Sequence, residues 1–134
     1  MSTLHEMNRL GYNEMNDLRY VFVAAPMSGP PNEYLANCSR MSQYSRSLID
    51  QGVCPINPAA DMIEGLMRSK PLTDEQYKLR SMELLRLLEG RLDAQMHVLT
   101  TGRRGGQVSS GVADEIVEAR RLDIPVVFVE GWEV

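Results

Sequence analysis

The chain has 134 residues, 43% of them hydrophobic and 24% charged, with a formal net charge of −4. This is the size and composition of one folded domain, and the acidic balance excludes a general attraction to nucleic acid or to an anionic membrane. No apolar run is long enough to cross a bilayer, and residues 1–19 are too polar for a secretory leader. The two cysteines and two histidines follow no metal-spacing pattern. We expect a cytoplasmic protein that acts on a small molecule without a metal or cofactor.

The first half of the chain predicts strand, loop, helix and strand in that order. Residues 1–19 have weak periodicity and predict an extension, followed by a single α/β domain over 20–134. The continuous apolar run YVFVAA at 20–25 is typical of a strand buried on both faces. Apolar residues at helical spacing predict a helix over 32–51, and residues 53–56 predict a short second strand.

The second half continues this alternation. Capping-box spacing at 73–76 introduces the most strongly indicated helix, over 74–89. Leu79 and Leu87 lie outside the inner apolar stripe of this helix, which predicts a second apolar contact such as a helix of another subunit. A third strand is predicted over 94–99, then a helix over 111–122 and a fourth strand over 124–129. Strands alternating with helices predict a parallel sheet covered on both faces, with functional groups at the carboxyl ends of its strands.

One carboxylate lies on the apolar side of its helix. In SSGVADEIVEA at 109–119, Glu115 shares a stripe with Val112 and Ala119, whereas Asp114 lies on the opposite side. Two interpretations are open. An acidic residue here can simply complement the helix dipole, or a carboxylate at the mouth of the sheet can act as a nucleophile or stabilise a developing cation.

The other polar candidates also allow either a structural or a functional interpretation. Ser28 and Gly29 form a turn or donate to an anion, and His97 in an apolar strand run is interpreted as a hydrogen-bonded core histidine. Asp93 is either a residue at the start of a strand or a catalyst. The amide groups at the start of the helix near Gly111 offer a natural anion site.

Three segments together resemble the nucleoside 2-deoxyribosyltransferase superfamily. They are YVFVAAPMSG, then GVCPINPAA, then SSGVADEIVEARRLDIPVVFV, and they span about 20–129. The resemblance implies a flavodoxin-like or Rossmann-like three-layer α/β sandwich with a parallel sheet of four or five strands. It also implies cleavage of the N-glycosidic bond of a nucleoside or nucleotide, and frequent assembly as homo-oligomers.

Carried over by position, the resemblance places Glu115 on the family's glutamate, which attacks or stabilises the anomeric carbon. Ser109 stands where the transferases have an aspartate and the related deoxynucleoside 5′-monophosphate N-glycosidases have a serine that helps to bind phosphate. An aspartate there would repel a phosphate, whereas a serine hydroxyl can donate to it. The other substrate-binding candidates are Pro26, Met27, Ser28, Gly29, Asn57, Ser110 and Gly111.

Two positions depart from the family pattern. The tyrosine of the first strand that orients the glutamate is replaced by Phe22, which we include among the substrate-binding positions. The aspartate that handles the proton of the leaving base aligns with Ser81; Glu83 and the catalytic candidate Asp93 are nearby in the sequence, but neither has the expected register. Asp61 or a neighbouring subunit could also supply that acid, whose help is typically worth about 10²–10⁴ in rate.

Three hypotheses follow from these residues. The first is an N-glycosidase that acts on a nucleoside 5′-monophosphate, with the transferase as the same chemistry toward a base instead of water. The second is a binding protein that has lost catalysis and sequesters a nucleotide-derived ligand, which the replacements at Phe22 and Ser81 favour. The third is an assembly protein that uses the fold only as a scaffold.

Overall fold

The computed structural model describes residues 17–25, 31–58, 73–100 and 110–130. Within these ranges strands and helices alternate as predicted, and each lies within one helical turn of its expected bounds. In chain order they are β1 Tyr20–Ala24, α1 Pro31–Asp50, β2 Cys54–Ile56, α2 Asp74–Arg86, β3 Ala94–Leu99, α3 Ser110–Arg121 and β4 Val126–Val129. None of these helices is long and apolar enough to cross a membrane.

The four strands form one parallel sheet in the order β2-β1-β3-β4. In the central pair, Phe22 is in register with Met96, and Ala24 with Val98. The chain moves outward to β2 in one direction and to β4 in the other, so the direction of winding changes between β1 and β3. In open α/β sheets ligands bind in the crevice beyond the carboxyl ends of the strands at such a switch point.

The first helical layer lies on one face of this sheet. Because successive side chains of a strand point to opposite faces, Val21 and Val23 of β1 share one face. There they pack with buried residues of α1, including Met41 and Leu48. This layer covers the sheet from the side opposite to α2 and α3.

The second helical layer consists of α2 and α3. Phe22, fully buried, packs on this face with Leu85 of α2 and Ile116 of α3. Truncating such a side chain to alanine typically costs about 3–5 kcal/mol. Two helical layers around a parallel sheet confirm the three-layer α/β architecture with four strands.

Local chemistry explains where the elements begin and end. The Thr73 hydroxyl accepts from the Gln76 amide at 3.2 Å, and the Gln76 side chain accepts from the Thr73 amide at 2.9 Å, so the predicted capping box is formed. Such a cap stabilises a helix by about 1 kcal/mol. The α-helix ends earlier than expected, at Arg86, because the amides of Leu88 and Glu89 bond three residues back in tighter turns.

β4 begins later than predicted, at Val126. The Ile124 amide bonds back to the Ala119 carbonyl at 2.8 Å, and Pro125 has no amide hydrogen to give to the sheet. On α2, Leu79 and Leu87 are 59% and 72% exposed, so they do lie outside the packed stripe. Their contact with another subunit stays a prediction.

Candidate functional site

Glu115 lies in the second turn of α3, close to the carboxyl edge of the sheet. The helix begins at Ser110, past the carboxyl end of β3. Its apolar stripe faces the core, with Val112, Ile116 and Ala119 all buried, and Glu115 on the same side is half-buried. The predicted position of this carboxylate on the apolar side is therefore confirmed.

The side chain that meets Glu115 comes from the neighbouring helix. Ser81 Oγ of α2 donates a hydrogen bond of 2.9 Å to Glu115 Oε2. Both helices pack on the same face of the sheet, and their sequences ascend together along the contact: Lys78 meets Asp114, and Ser81 meets Glu115. The two residues that the sequence assigned to catalysis on different helices are thus brought together.

Burial dominates the protonation of Glu115. Removal from water raises its pKa to about 7, although the Ser81 hydrogen bond and the positive charge of Lys78 act to lower it. Near neutral pH the side chain therefore exists in both forms. A carboxyl group in this range can exchange a proton efficiently and, when ionised, can serve as a nucleophile.

Two other carboxylates of α3 meet cations instead. Asp114 accepts from Lys78 Nζ, and Glu118 accepts from Arg86 Nη2 at 3.4 Å as well as from Arg121. The Arg121 hydrogen bond holds the pKa of Glu118 below its usual range, with a further contribution from Arg86. Of these three carboxylates, Glu115 is the one whose hydrogen-bond partner in the described residues is a neutral hydroxyl.

Phe22 forms part of the wall beneath this site. It is fully buried in the core cluster that includes Val112 and Ile116. The side chain offers no hydrogen bond, and the hydrogen bond to Glu115 comes from Ser81 of α2. The resemblance aligned Ser81 with an aspartate that handles the proton of the leaving base, and it did not predict the contact of Ser81 with Glu115.

Two further candidates lie at the same edge of the sheet. Asn57 directly follows β2 and is half-buried. Gly111 lies in the first turn of α3, where a β-carbon would meet no atom within 4 Å. Packing in the described residues therefore does not require glycine at this position.

Asp93 is placed at the opposite end of β3. It immediately precedes the strand and accepts from Arg91 at 2.9 and 3.0 Å, with Arg19 at 4.0 Å. The Arg91 hydrogen bonds hold the pKa of Asp93 below its usual range. A strand of six residues corresponds to roughly 20 Å, so the structure does not bring Asp93 to Glu115, and we do not carry its catalytic assignment forward.

His97 has the role expected of a core histidine. The Tyr44 hydroxyl of α1 lies 2.5 Å from Nδ1, and Nε2 lies 2.9 Å from Gln95 Oε1. These contacts suit the neutral tautomer, in which Tyr44 donates to Nδ1 and Nε2–H donates to the amide oxygen. Burial lowers the pKa of His97, which favours that neutral form.

Several predicted positions lie outside the described residues. They are the side chain of Ser110 and the whole residues Pro26, Met27, Ser28, Gly29, Asp61 and Ser109. The pair that sequence reasoning missed is Lys78 and Asp114. No pattern in the sequence indicates this pair, because the contact depends on how α2 and α3 pack against each other.

Comparisons with known proteins show a similarity of fold. No family model matches the chain, and no curated protein matches its sequence. A solved structure of a 2-desoxiribosyltransferase from Leishmania mexicana superposes with a TM-score of 0.57 at 12% sequence identity, covering 84% of this chain and 64% of that one. The chain therefore spans slightly less than two thirds of that protein's length. At this identity the likeness shows the fold, and it agrees with the α/β architecture that the sequence resemblance implied.

Proposed function

We propose that the protein cleaves the N-glycosidic bond of a nucleoside 5′-monophosphate, with Glu115 as the group that reacts with the anomeric carbon. The observation that carries this proposal is the half-buried carboxylate at the carboxyl edge of the sheet, bound at one oxygen by the neutral Ser81 hydroxyl. The similar fold of a 2-desoxiribosyltransferase supports glycosyl transfer as the class of chemistry.

The reaction would proceed in two displacements. An oxygen of ionised Glu115 bonds to the anomeric carbon while the carbon–nitrogen bond breaks, and the base leaves with the bonding electrons and takes a proton from water. A water molecule then attacks the same carbon, which releases the sugar 5′-phosphate, restores the carboxylate and returns one proton to solvent. Since positive charge on the sugar is largest in the transition state, a half-buried carboxylate stabilises that state more than the bound substrate.

The contact with Ser81 suits an orienting role better than that of an acid. Ser81 already donates its proton to Glu115 Oε2, which leaves Oε1 as the oxygen available for reaction. A serine hydroxyl is also far too weak an acid to protonate a leaving base at neutral pH. We therefore assign to Ser81 the positioning of Glu115.

The preference for a monophosphate depends on the sequence. Ser109 replaces the aspartate of the transferases, and it immediately precedes α3, where the free amides of the helix end attract an anion. An aspartate at this place would repel a phosphate. Transfer of the sugar to a second base is the same chemistry with a different acceptor. It is the alternative reaction, because the fold neighbour is named a 2-desoxiribosyltransferase.

The test is release of free base, followed by chromatography, from the common ribo- and deoxyribonucleoside monophosphates and the matching nucleosides. Wild-type protein should release base and Glu115→Gln should not. Glu118→Gln is the matched control, because Glu118 lies one turn further along α3 and is bound by arginines. No release by folded wild-type protein from any of these compounds, with or without an added acceptor base, would show the proposal to be wrong.

Nucleotide binding without turnover is the second candidate. The observations that favour it are Phe22, which cannot hold Glu115, and Ser81 in the place of an acid. Titration calorimetry with a nucleoside monophosphate distinguishes the two. Heat of binding to wild-type protein, with no base released over a long incubation at the same concentrations, would favour the binding protein.

A further inference from the structure

A second polar contact joins α2 and α3 beside the Ser81–Glu115 hydrogen bond. Lys78 Nζ and Asp114 Oδ2 are 2.5 Å apart, and both side chains are about half exposed, at 48% and 52%. Lys78 lies one turn before Ser81 on α2, and Asp114 is the chain neighbour of Glu115 on α3. A cation and an anion therefore lie beside the Ser81–Glu115 contact at the interface of α2 and α3.

We propose that Lys78 and Asp114 are a pair of tuning residues that set the charge of Glu115 in opposite directions. Lys78 stabilises the ionised carboxylate, and Asp114 weakens this effect by its own negative charge and by holding the lysine. The significance for catalysis rests on the proposed function, since an attacking glutamate must be ionised. The electrostatic coupling itself does not depend on any substrate.

In the described residues, few other charged groups lie around Glu115. From α2 it faces the neutral Ser81 hydroxyl and the Lys78 cation, and from its own helix Asp114. The sheet beneath contributes apolar side chains such as Phe22. Further along the interface, Glu118 is already neutralised by two arginines, as shown by its contacts with Arg86 and Arg121.

The titration behaviour agrees with this geometry in both directions. Lys78 lowers the pKa of Glu115 and Asp114 raises it, although burial has the largest effect. Conversely, the pKa of Lys78 is raised first by its hydrogen bond to Asp114 and also, more weakly, by the charges of Glu75 and Glu115. Such mutual effects are expected when charged groups share one interface.

The experiment is a carbon-13 NMR titration of the Glu115 carboxyl group without substrate, assigned by its loss in Glu115→Gln. Removing the cation with Lys78→Gln should raise the midpoint by on the order of half a pH unit, and Asp114→Asn should lower it by a similar amount. The double variant should return close to the wild-type midpoint. Lys78→Arg keeps the charge and should change the midpoint least of the single variants.

Arg86→Gln is the matched control, because it removes a cation of the same interface that binds Glu118. Its effect on the Glu115 midpoint should be smaller than that of Lys78→Gln. The proposal would be wrong if the Glu115 midpoint did not move, or if it moved in the same direction for Lys78→Gln and Asp114→Asn. The spectrum of each variant must show that the protein is folded. The NMR titration does not depend on base release. A protein that releases no base but shows opposite midpoint shifts would contradict the proposed function and confirm the electrostatic coupling.

Discussion

Ser81 and Glu115 are joined by a 2.9 Å hydrogen bond between α2 and α3, in which the hydroxyl donates to Oε2 of a half-buried carboxylate. The bond fixes one oxygen of Glu115 and partly offsets the cost of burying its charge. The hydroxyl that binds Glu115 comes from α2, whereas Phe22 of β1 offers none.

Removing this hydroxyl should weaken catalysis more than folding. In Ser81→Ala the carboxylate loses its donor, so we expect kcat/KM for base release to fall about tenfold, in line with a hydrogen bond of 1–2 kcal/mol to a charged group. Because the bond lowers the pKa of Glu115, the acidic limb of the pH–rate profile should also move to higher pH. Ser81→Thr keeps a hydroxyl and should retain most of the activity; an equal loss in both variants would argue for packing and against positioning.

The buried carboxyl of Glu115 should make stability depend on pH. Its pKa is about 7 in the folded protein and near 4.5 in the unfolded chain, so between these values the folded state binds more protons. The stabilisation from this group is therefore fully present below about pH 4.5 and is lost as pH rises through 7. The unfolding free energy should fall by on the order of 3 kcal/mol over this range. Relative to wild type, Glu115→Gln should be more stable in urea at pH 8 than at pH 5. A difference between the two proteins that does not change with pH would exclude this effect.

His97 should produce the opposite trend. Burial lowers its pKa below the ordinary value of 6.5, so the unfolded chain binds more protons as pH falls past that value. The stability that comes from keeping His97 neutral is present above about pH 6.5 and is lost on acidification. His97→Asn cannot titrate, so its unfolding free energy should fall less than that of wild type between pH 7 and 5. Tyr44→Phe is the matched control, because it removes the hydrogen bond to Nδ1 and keeps the titrating ring.

The architecture could be predicted from the sequence because it depends on patterns that are local. A continuous apolar run indicates a strand covered on both faces, and capping residues such as Thr73 mark a helix start within a few positions. The placement of Glu115 on the inner side of α3 follows from helical periodicity alone. These signals need no knowledge of which element lies beside which.

The contacts between α2 and α3 could not be predicted in this way. The rotation and height of one helix against the other decide that Ser81 meets Glu115 and that Lys78 meets Asp114, and these depend on how the core packs. Asp93 is a different case. The sequence already places it directly before the third strand, and so at the amino edge of a parallel sheet, whereas Glu115 lies on the helix that follows the carboxyl end of that strand.

Asp93 offers a direct test of this placement. Its carboxylate binds Arg91 and lies at the amino edge of β3, away from Glu115. We expect Asp93→Asn to lower the unfolding free energy by up to about 1 kcal/mol, as for a largely exposed ion pair. Its kcat/KM for base release should equal that of wild type at temperatures where both are folded. A loss of turnover at unchanged KM would return Asp93 to the catalytic site.

The nature of the leaving base should matter unusually strongly. In the described residues Asp114, the chain neighbour of Glu115, accepts a hydrogen bond from Lys78, and Ser81 donates its hydroxyl proton to Glu115. Neither residue is therefore placed to protonate a departing base. Without a positioned acid the base must leave carrying more negative charge, and the rate of carbon–nitrogen cleavage should rise steeply with the acidity of the free base. A series of nucleoside monophosphates with bases of graded acidity, compared by single-turnover kinetics, measures this dependence. A flat dependence would mean that another group supplies the proton, and Asp61 would then be the first residue to replace.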